Sequence, residues 1–395
     1  MKAKDGSLNW FARPTFSMLT GEPGLYSRYS DGIILEASHF LLRKRSLLRF
    51  FHGKIFAIDP RTPIFQAMNR CFYDQRTERI RTSYLKLAKL HGEPFVGKFL
   101  EDIPVSPEDF SPDVCKRISS EVMELENSAD PQILLPPYFV IEGSSDPWFE
   151  VGLRIYEEMS AYASNVYLPL AISRQLLGDI DGLKSICHEL SRKDIPGFAI
   201  WPVGFDEFNS TLSELMGLEY LLDSLPETRV LLYAGYFSIL LCAITGASFS
   251  NGPCFHEKRD MTIAPPLEFR PRCRYYLPLL RQKVDPVAAL VFYRTLADLG
   301  IRPGLCEACE RNTLGNGYEG IAEMPEIDIY EHNFISRRRE VDELSNSRDP
   351  FDLGLEDLRS LLDIQKDLSH FRSMKHLTTW IDALEKLSTK AHNRY

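Results

Sequence analysis

The residues here whose types and spacing most directly suggest chemistry are two cysteines and a histidine near the C-terminal third of the chain. Cys306-Glu-Ala-Cys309 is a CxxC, and His332 follows downstream. Thiolate and imidazole are the usual ligands of tetrahedral zinc, and a CxxC turn aims both sulfurs at one ion. A structural zinc takes four ligands, and this stretch supplies three. Cys273 is the leading candidate for the fourth, followed by His256, Cys254 and Glu307. Two buried free thiols are the plainer alternative. The chain has 8 cysteines, scattered apart from this pair, which points to reduced thiols and a metal site rather than a disulfide framework.

A second chemistry is phosphate contact. Arg43-Lys44-Arg45 with Arg49 and Lys54, then Arg270, Arg272 and Arg274, then Arg337-Arg338-Arg339 are local basic patches. The formal net charge is -9, so any contact with tRNA or DNA must come from such patches and not from the overall field. A charge run is otherwise a solvated face.

These groups need a scaffold, and the middle of the chain reads as one. Apolar runs alternate with helical patterns: strand 133–143, helix 148–163, strand 166–173, helix 181–191, strand 197–203, helix 212–225, strand 230–236. Strands that are apolar throughout, each followed by a helix, are the pattern of a parallel sheet covered on both faces. Four such units in close succession favour a barrel over an open doubly wound sheet, and 395 residues are ample for a barrel with an added lobe. Residues 1–30 read as loops and short elements, and a helix is expected over 112–127. After residue 260 the pattern changes: a Pro- and Arg-rich stretch, a helix over 285–299, the cysteine pair, a Gly-rich loop at 314–320 and a charged helix over 329–344. The tail carries apolar residues at helical spacing, expected to dock on the chain's own core or to form a face of a homo- or hetero-dimer. The division expected is a barrel over 1–260, a zinc-binding subdomain and barrel end over 261–345, and amphipathic helices over 346–395. No apolar run is long enough to span a membrane and no signal peptide is evident, so a cytoplasmic protein without membrane contact is expected.

Four stretches resemble the tRNA-guanine transglycosylases. Gly304-Leu-Cys306-Glu-Ala-Cys309 followed by Glu331-His332-Asn333-Phe334 looks like that family's zinc subdomain, with Gly304 at the position of its first cysteine. GFAIWPVGFDE (197–207) resembles the family's GYAIGGLxVGE strand, which faces the base. KIFAIDPRTPIFQ (54–66) resembles its IDSGGFQ segment, and RVLLYAGYF (229–237) with GASFSNGPCFHEKR (246–259) resembles the strand and loop that carry its nucleophilic aspartate. The resemblance covers residues 54–66 and 195–345 in pieces.

The resemblance implies a (β/α)8 TIM-like barrel with a C-terminal zinc-binding subdomain and a helical tail. It implies structural Zn2+ on Cys306, Cys309 and His332, with the ligand that falls on Gly304 missing or supplied from elsewhere, for which Cys273 remains the leading candidate. It also implies a pentosyltransferase that exchanges guanine for a 7-deazaguanine in RNA or DNA. Asp59 matches the acid/base, and Phe198, Trp201, Gly204 and Glu207 fall on the base-binding strand. Two departures stand out. Trp201 and Pro202 replace the two glycines that let backbone amides approach a flat base. Asn251 stands at the nucleophile position, and an amide cannot capture a sugar C1 as a carboxylate does. Asp206 and Asp260 are the neighbouring carboxylates. A non-catalytic binding or partner subunit of the same build is the competing expectation, and a barrel recruited to small-molecule chemistry is a third.

Overall fold

The structure is a computed structural model, which describes residues 8–14, 23–40, 53–66, 77–127, 130–226, 228–252, 273–301, 304–367 and 375–392. Eight parallel strands form one curled sheet: β1 (Trp10–Ala12), β2 (Gly32–Glu36), β3 (Ile55–Asp59), β4 (Val140–Ile141), β5 (Leu168–Ser173), β6 (Gly197–Val203), β7 (Thr228–Leu231) and β8 (Ser248–Asn251). Neighbours follow chain order. β1 pairs with β2 on one side and with β8 on the other, and pairing continues β8-β7-β6-β5-β4. An isolated parallel bridge, Ala57 to Ile133, joins β3 to the segment that leads into β4. An open doubly wound sheet would reverse strand order at a switch point, which this order does not.

The strands are short and buried on both faces, and their residues alternate between two apolar layers. In β6, Phe198 and Ile200 pack outward under the helices, whereas Ala199, Trp201 and Val203 face inward. The inner layer also takes Phe11, Ile34, Ala57, Tyr138, Val140, Ala171 and Val230, from strands all around the sheet. A curled sheet filled by its own side chains is a packed core, not a pore.

The helices begin where the sequence signals them. Asp146 caps the Pro147–Ser160 helix, Asp285 caps Pro286–Asp298, and Thr211 with Glu214 forms a capping box at Leu212–Ser224. The expected strand 230–236 instead runs Thr228–Leu231. Tyr233 has φ 62°, and Gly235 already caps the Tyr236–Thr245 helix. The expected strand 133–143 is interrupted, with bridges at Ile133 and Leu134 and a ladder only at Val140–Ile141. Pro136 and Pro137 lie between and have no N–H to donate.

All eight strands precede residue 260. Beyond them come the hairpin β9 (Tyr275–Leu277) and β10 (Gln282–Val284), the short helix Glu307–Thr313 and the 21-residue helix Glu326–Asn346. The tail forms two helices, Pro350–Asp367 and Lys375–His392, docked on the chain's own core. Trp380 is fully buried against Phe237 and donates its indole N–H to the Glu207 carbonyl at 3.0 Å. Among the described residues, no helix is long and apolar enough to cross a membrane.

Candidate functional site

The best-formed constellation is Cys306, Cys309 and His332. Cys306 sits at the N-terminal end of the Glu307–Thr313 helix, so Cys309 lies one turn on and faces the same way. His332 comes from the first half of the Glu326–Asn346 helix. All three are buried, and their ligand atoms form a group able to hold a metal ion. The two Sγ atoms are 3.4 Å apart, and His332 Nδ1 lies 3.2 Å from Cys306 Sγ and 3.1 Å from Cys309 Sγ. Two thiolates on one tetrahedral zinc stand about 3.8 Å apart, so a small expansion seats the ion. The hydrogen bond between the sulfurs, more than any other cause, pushes the Cys306 thiol down and the Cys309 thiol up.

The surroundings fit a metal as well. His332 Nε2 is 2.7 Å from the Tyr276 carbonyl, which fixes the proton there and leaves Nδ1 free to bind an ion. The Tyr275 ring stacks on His332 at 4.0 Å, and its hydroxyl is 3.0 Å from Cys309 Sγ. Asn333 holds the hairpin in place, accepting from Tyr276 N at 2.9 Å and donating to the Arg274 carbonyl at 3.0 Å. Cys273 is buried in the adjoining core and is not among the grouped ligand atoms, and Glu307 is exposed. Cys254 and His256 lie outside the described residues.

A second polar cluster occupies the C-terminal ends of β1, β2 and β3, the end of a parallel α/β sheet where ligands bind. Asp59 is fully buried. Its Oδ2 accepts from the Arg13 guanidinium, and its Oδ1 accepts from Arg61 N and from the Tyr138 hydroxyl, both at 2.9 Å. Arg13 also donates to the Tyr233 hydroxyl at 2.6 Å and lies 4.1 Å from the centre of that ring. Burial opposes the Arg13 charge, but Tyr233 and Asp59 outweigh it and raise its pKa. Burial, before any other cause, pushes both Tyr138 and Tyr233 up, so they stay protonated donors. Beside them Glu36 pairs with Arg61 and lies 3.6 Å from His39, whose pKa burial lowers to about 4.

Sequence reasoning missed Arg13, Glu36, Arg61, Tyr138 and Tyr233. The available signal was a lone charge closing an apolar strand, as in WFAR and GIILE.

The remaining expected site residues are placed as follows. Trp201 is fully buried in the inner layer, 6.4 Å from Tyr138 and 5.5 Å from Tyr233 between ring centres. Phe198 faces the opposite way, into the outer layer. Gly204, at φ 70°, makes the turn that ends β6. Glu207 caps a helix: its carboxylate accepts from Gly235 N at 2.9 Å, Phe237 N at 3.2 Å and Ser238 N at 3.0 Å.

Asn251 is buried in the outer layer. Its Oδ1 accepts from Trp10 Nε1 at 2.7 Å, and its Nδ2 donates to the Ala234 carbonyl at 3.3 Å. Its backbone carbonyl accepts from Arg13 N at 2.8 Å, which links it to the Asp59 cluster. Asp206 caps the turn Glu207–Asn209, accepting from Phe208 N at 3.2 Å and Asn209 Nδ2 at 2.8 Å, and Asp260 lies outside the described residues.

Of the basic runs, Arg337 is buried on Glu340, Arg338 pairs with Asp31 and Asp342, and Lys54 donates to the Ser30 carbonyl. Arg43, Lys44, Arg45, Arg49, Arg270 and Arg272 lie outside the described residues. No family model matches the chain, and no curated protein matches it.

Proposed function

We propose that the chain is a closed TIM-like barrel of the transglycosylase type, stapled by zinc on Cys306, Cys309 and His332, that serves as a non-catalytic binding or partner subunit. The observation that carries this reading is the state of Asp59. An acid/base must offer a free oxygen to the substrate and exchange a proton with it. Asp59 has both oxygens engaged, one on a guanidinium and the other on two neutral donors, with no exposed surface. Such a carboxylate works as a strut between strands. Trp201 fills the inner layer just beneath, and the Asn251 amide is spent on Trp10 and Ala234. The ion pairs of Arg337 and Arg338 also remove two cations from the patch nearest the zinc ligands that tRNA or DNA would need.

The deciding experiment is base exchange with labelled guanine on tRNA and on DNA. No incorporation is expected from the wild type. Incorporation would overturn the non-catalytic reading and return the chain to the pentosyltransferases, with Asp260 as the remaining candidate nucleophile near the matched position.

A further inference from the structure

Cys306 and Cys309 are both buried, but they differ in access. Cys306 lines a cavity of about 430 Å3 together with His332, Gly304, Arg339 and Glu343. The last three are exposed, so among the described residues the cavity opens to solvent. A Cβ built on Gly304, two residues before Cys306, would meet no atom within 4 Å. Cys309 is not on that lining. It is fully buried, and the Tyr275 hydroxyl lies 3.0 Å from its sulfur. A small solute in the cavity therefore meets the first sulfur before the second.

The pair is also placed to bond. The two sulfurs stand 3.4 Å apart. A disulfide needs them at about 2.05 Å, with Cα atoms no more than about 7 Å apart. Residues three apart on one helical turn meet the second condition, so rotation of the side chains is enough to meet the first. Cys115, Cys187, Cys242 and Cys273 are free thiols outside this group. A divalent ion on Cys306 and Cys309 keeps both as thiolates, and the thiolate is the form that attacks an oxidant.

We propose that Cys306 and Cys309 form a peroxide-sensitive redox site that closes to a disulfide and releases the metal. The Cys306 thiolate attacks one oxygen of hydrogen peroxide. An S–O bond forms, the O–O bond breaks, and the other oxygen leaves as hydroxide, which takes a proton from solvent. The Cys309 thiolate then attacks the Cys306 sulfur. The S–S bond forms, the S–O bond breaks, and a second hydroxide leaves and is protonated to water. The peroxide gains two electrons, the two sulfurs lose them, and the metal keeps its charge. Sulfurs bonded to each other are no longer thiolate ligands, so His332 alone remains of the grouped donors. The Glu307–Thr313 and Glu326–Asn346 helices then lose the link between them. The proposal rests on the metal reading above, and the test separates the two.

The full-length protein, its zinc content measured by elemental analysis, is treated with hydrogen peroxide beside a metallochromic chelator. Its cysteines are then mapped by alkylation and mass spectrometry. The expected result is one zinc released per chain together with a Cys306–Cys309 disulfide. That reaction should run at least about ten-fold faster than oxidation of Cys187 and Cys242 in the same molecule, whose thiols burial pushes up. Dithiothreitol with added zinc should restore the starting state. Cys309→Ser should stop at a sulfenic acid on Cys306, trapped by dimedone, and if that variant does not fold the mapping of the wild type decides alone. A protein without zinc that still forms the disulfide overturns the metal reading and supports the redox site. Zinc-loaded protein whose Cys306 and Cys309 resist peroxide as Cys187 does, or whose Cys306 pairs with another cysteine, overturns the redox site. A Cys306–Cys309 disulfide that keeps its zinc overturns the release.

Discussion

The guanidinium of Arg13, at the end of β1, reaches across β2 to the carboxylate of Asp59, at the end of β3. Both are buried, so each is the other's principal compensation for lost hydration. Asp59→Asn should therefore lower stability by about 3 kcal/mol, because it leaves a buried guanidinium without its counter-charge. Urea unfolding of the purified variant measures this. A variant as stable as the wild type, or more so, would argue that Asp59 is strained for catalysis instead.

Asn251→Asp restores the carboxylate that the resemblance places there, yet no base exchange is expected. The new oxygen would replace the N–H that now donates to the Ala234 carbonyl and would oppose it. Two acceptors forced together in a buried site cost about 1–3 kcal/mol. The variant should melt earlier and remain inactive on tRNA and DNA, and labelled guanine in either product would contradict this.

Glu207→Gln should act on stability alone. The carboxylate takes three backbone N–H groups at the start of the Tyr236–Thr245 helix, where the helix dipole favours a negative charge. Losing the charge should cost about 1 kcal/mol, within the usual range for a helix N-cap. Thermal unfolding of Glu207→Gln beside Glu207→Asp reads the effect. Equal melting temperatures for wild type and Glu207→Gln would count against the capping role.

The purified protein should carry one zinc per chain, lost in Cys306→Ser. If the ion ties the Glu307–Thr313 helix to the Glu326–Asn346 helix, a strong chelator should lower the melting temperature and added zinc restore it. Elemental analysis that finds no transition metal in the wild type would exclude the staple.

Acid should destabilise the fold before its carboxylates titrate. His39, His91 and His376 each have a pKa lowered to about 4, with burial as the first cause. Unfolded histidine titrates near 6.5. Each therefore binds a proton more readily in the unfolded chain, and stability is full above about pH 6.5 and lost as pH falls toward 4. Unfolding free energies across that window should fall steeply, and the slope should shrink in His91→Gln. A flat profile from pH 7 to pH 4 would contradict the buried, neutral state of these rings.

Much of the scaffold was legible because its strands are apolar throughout and its helices carry explicit caps. GFAIWPV and the Asp285-Pro286 start needed no partner to be read. The CxxC and His332 were legible because metal ligands are constrained by chemical type. The strand-end cluster was not, because Arg13, Glu36 and Asp59 take their meaning from neighbouring strands. The face of Asn251 was likewise invisible: it follows from register with Ala12 on β1, and a shift of one residue would have turned the amide inward. The neighbours of Arg337 and Arg338 were hidden for a related reason, since helical spacing sends the members of the run to different partners.

The pairing of the first strand with the last has a consequence for biosynthesis. Trp10 and Asn251, joined by a side-chain hydrogen bond, are 241 residues apart, and the Glu207 backbone waits for Trp380 from the final helix. On the ribosome β1 emerges early, while its β8 partner is still unmade. Its Trp10 and Phe11 lack that partner until β8 has been translated. Folding of such long-range pairings is slow, and the waiting apolar edge is prone to aggregate. Production of this protein should accordingly be sensitive to translation rate and to chaperone supply, more than its packed core would suggest.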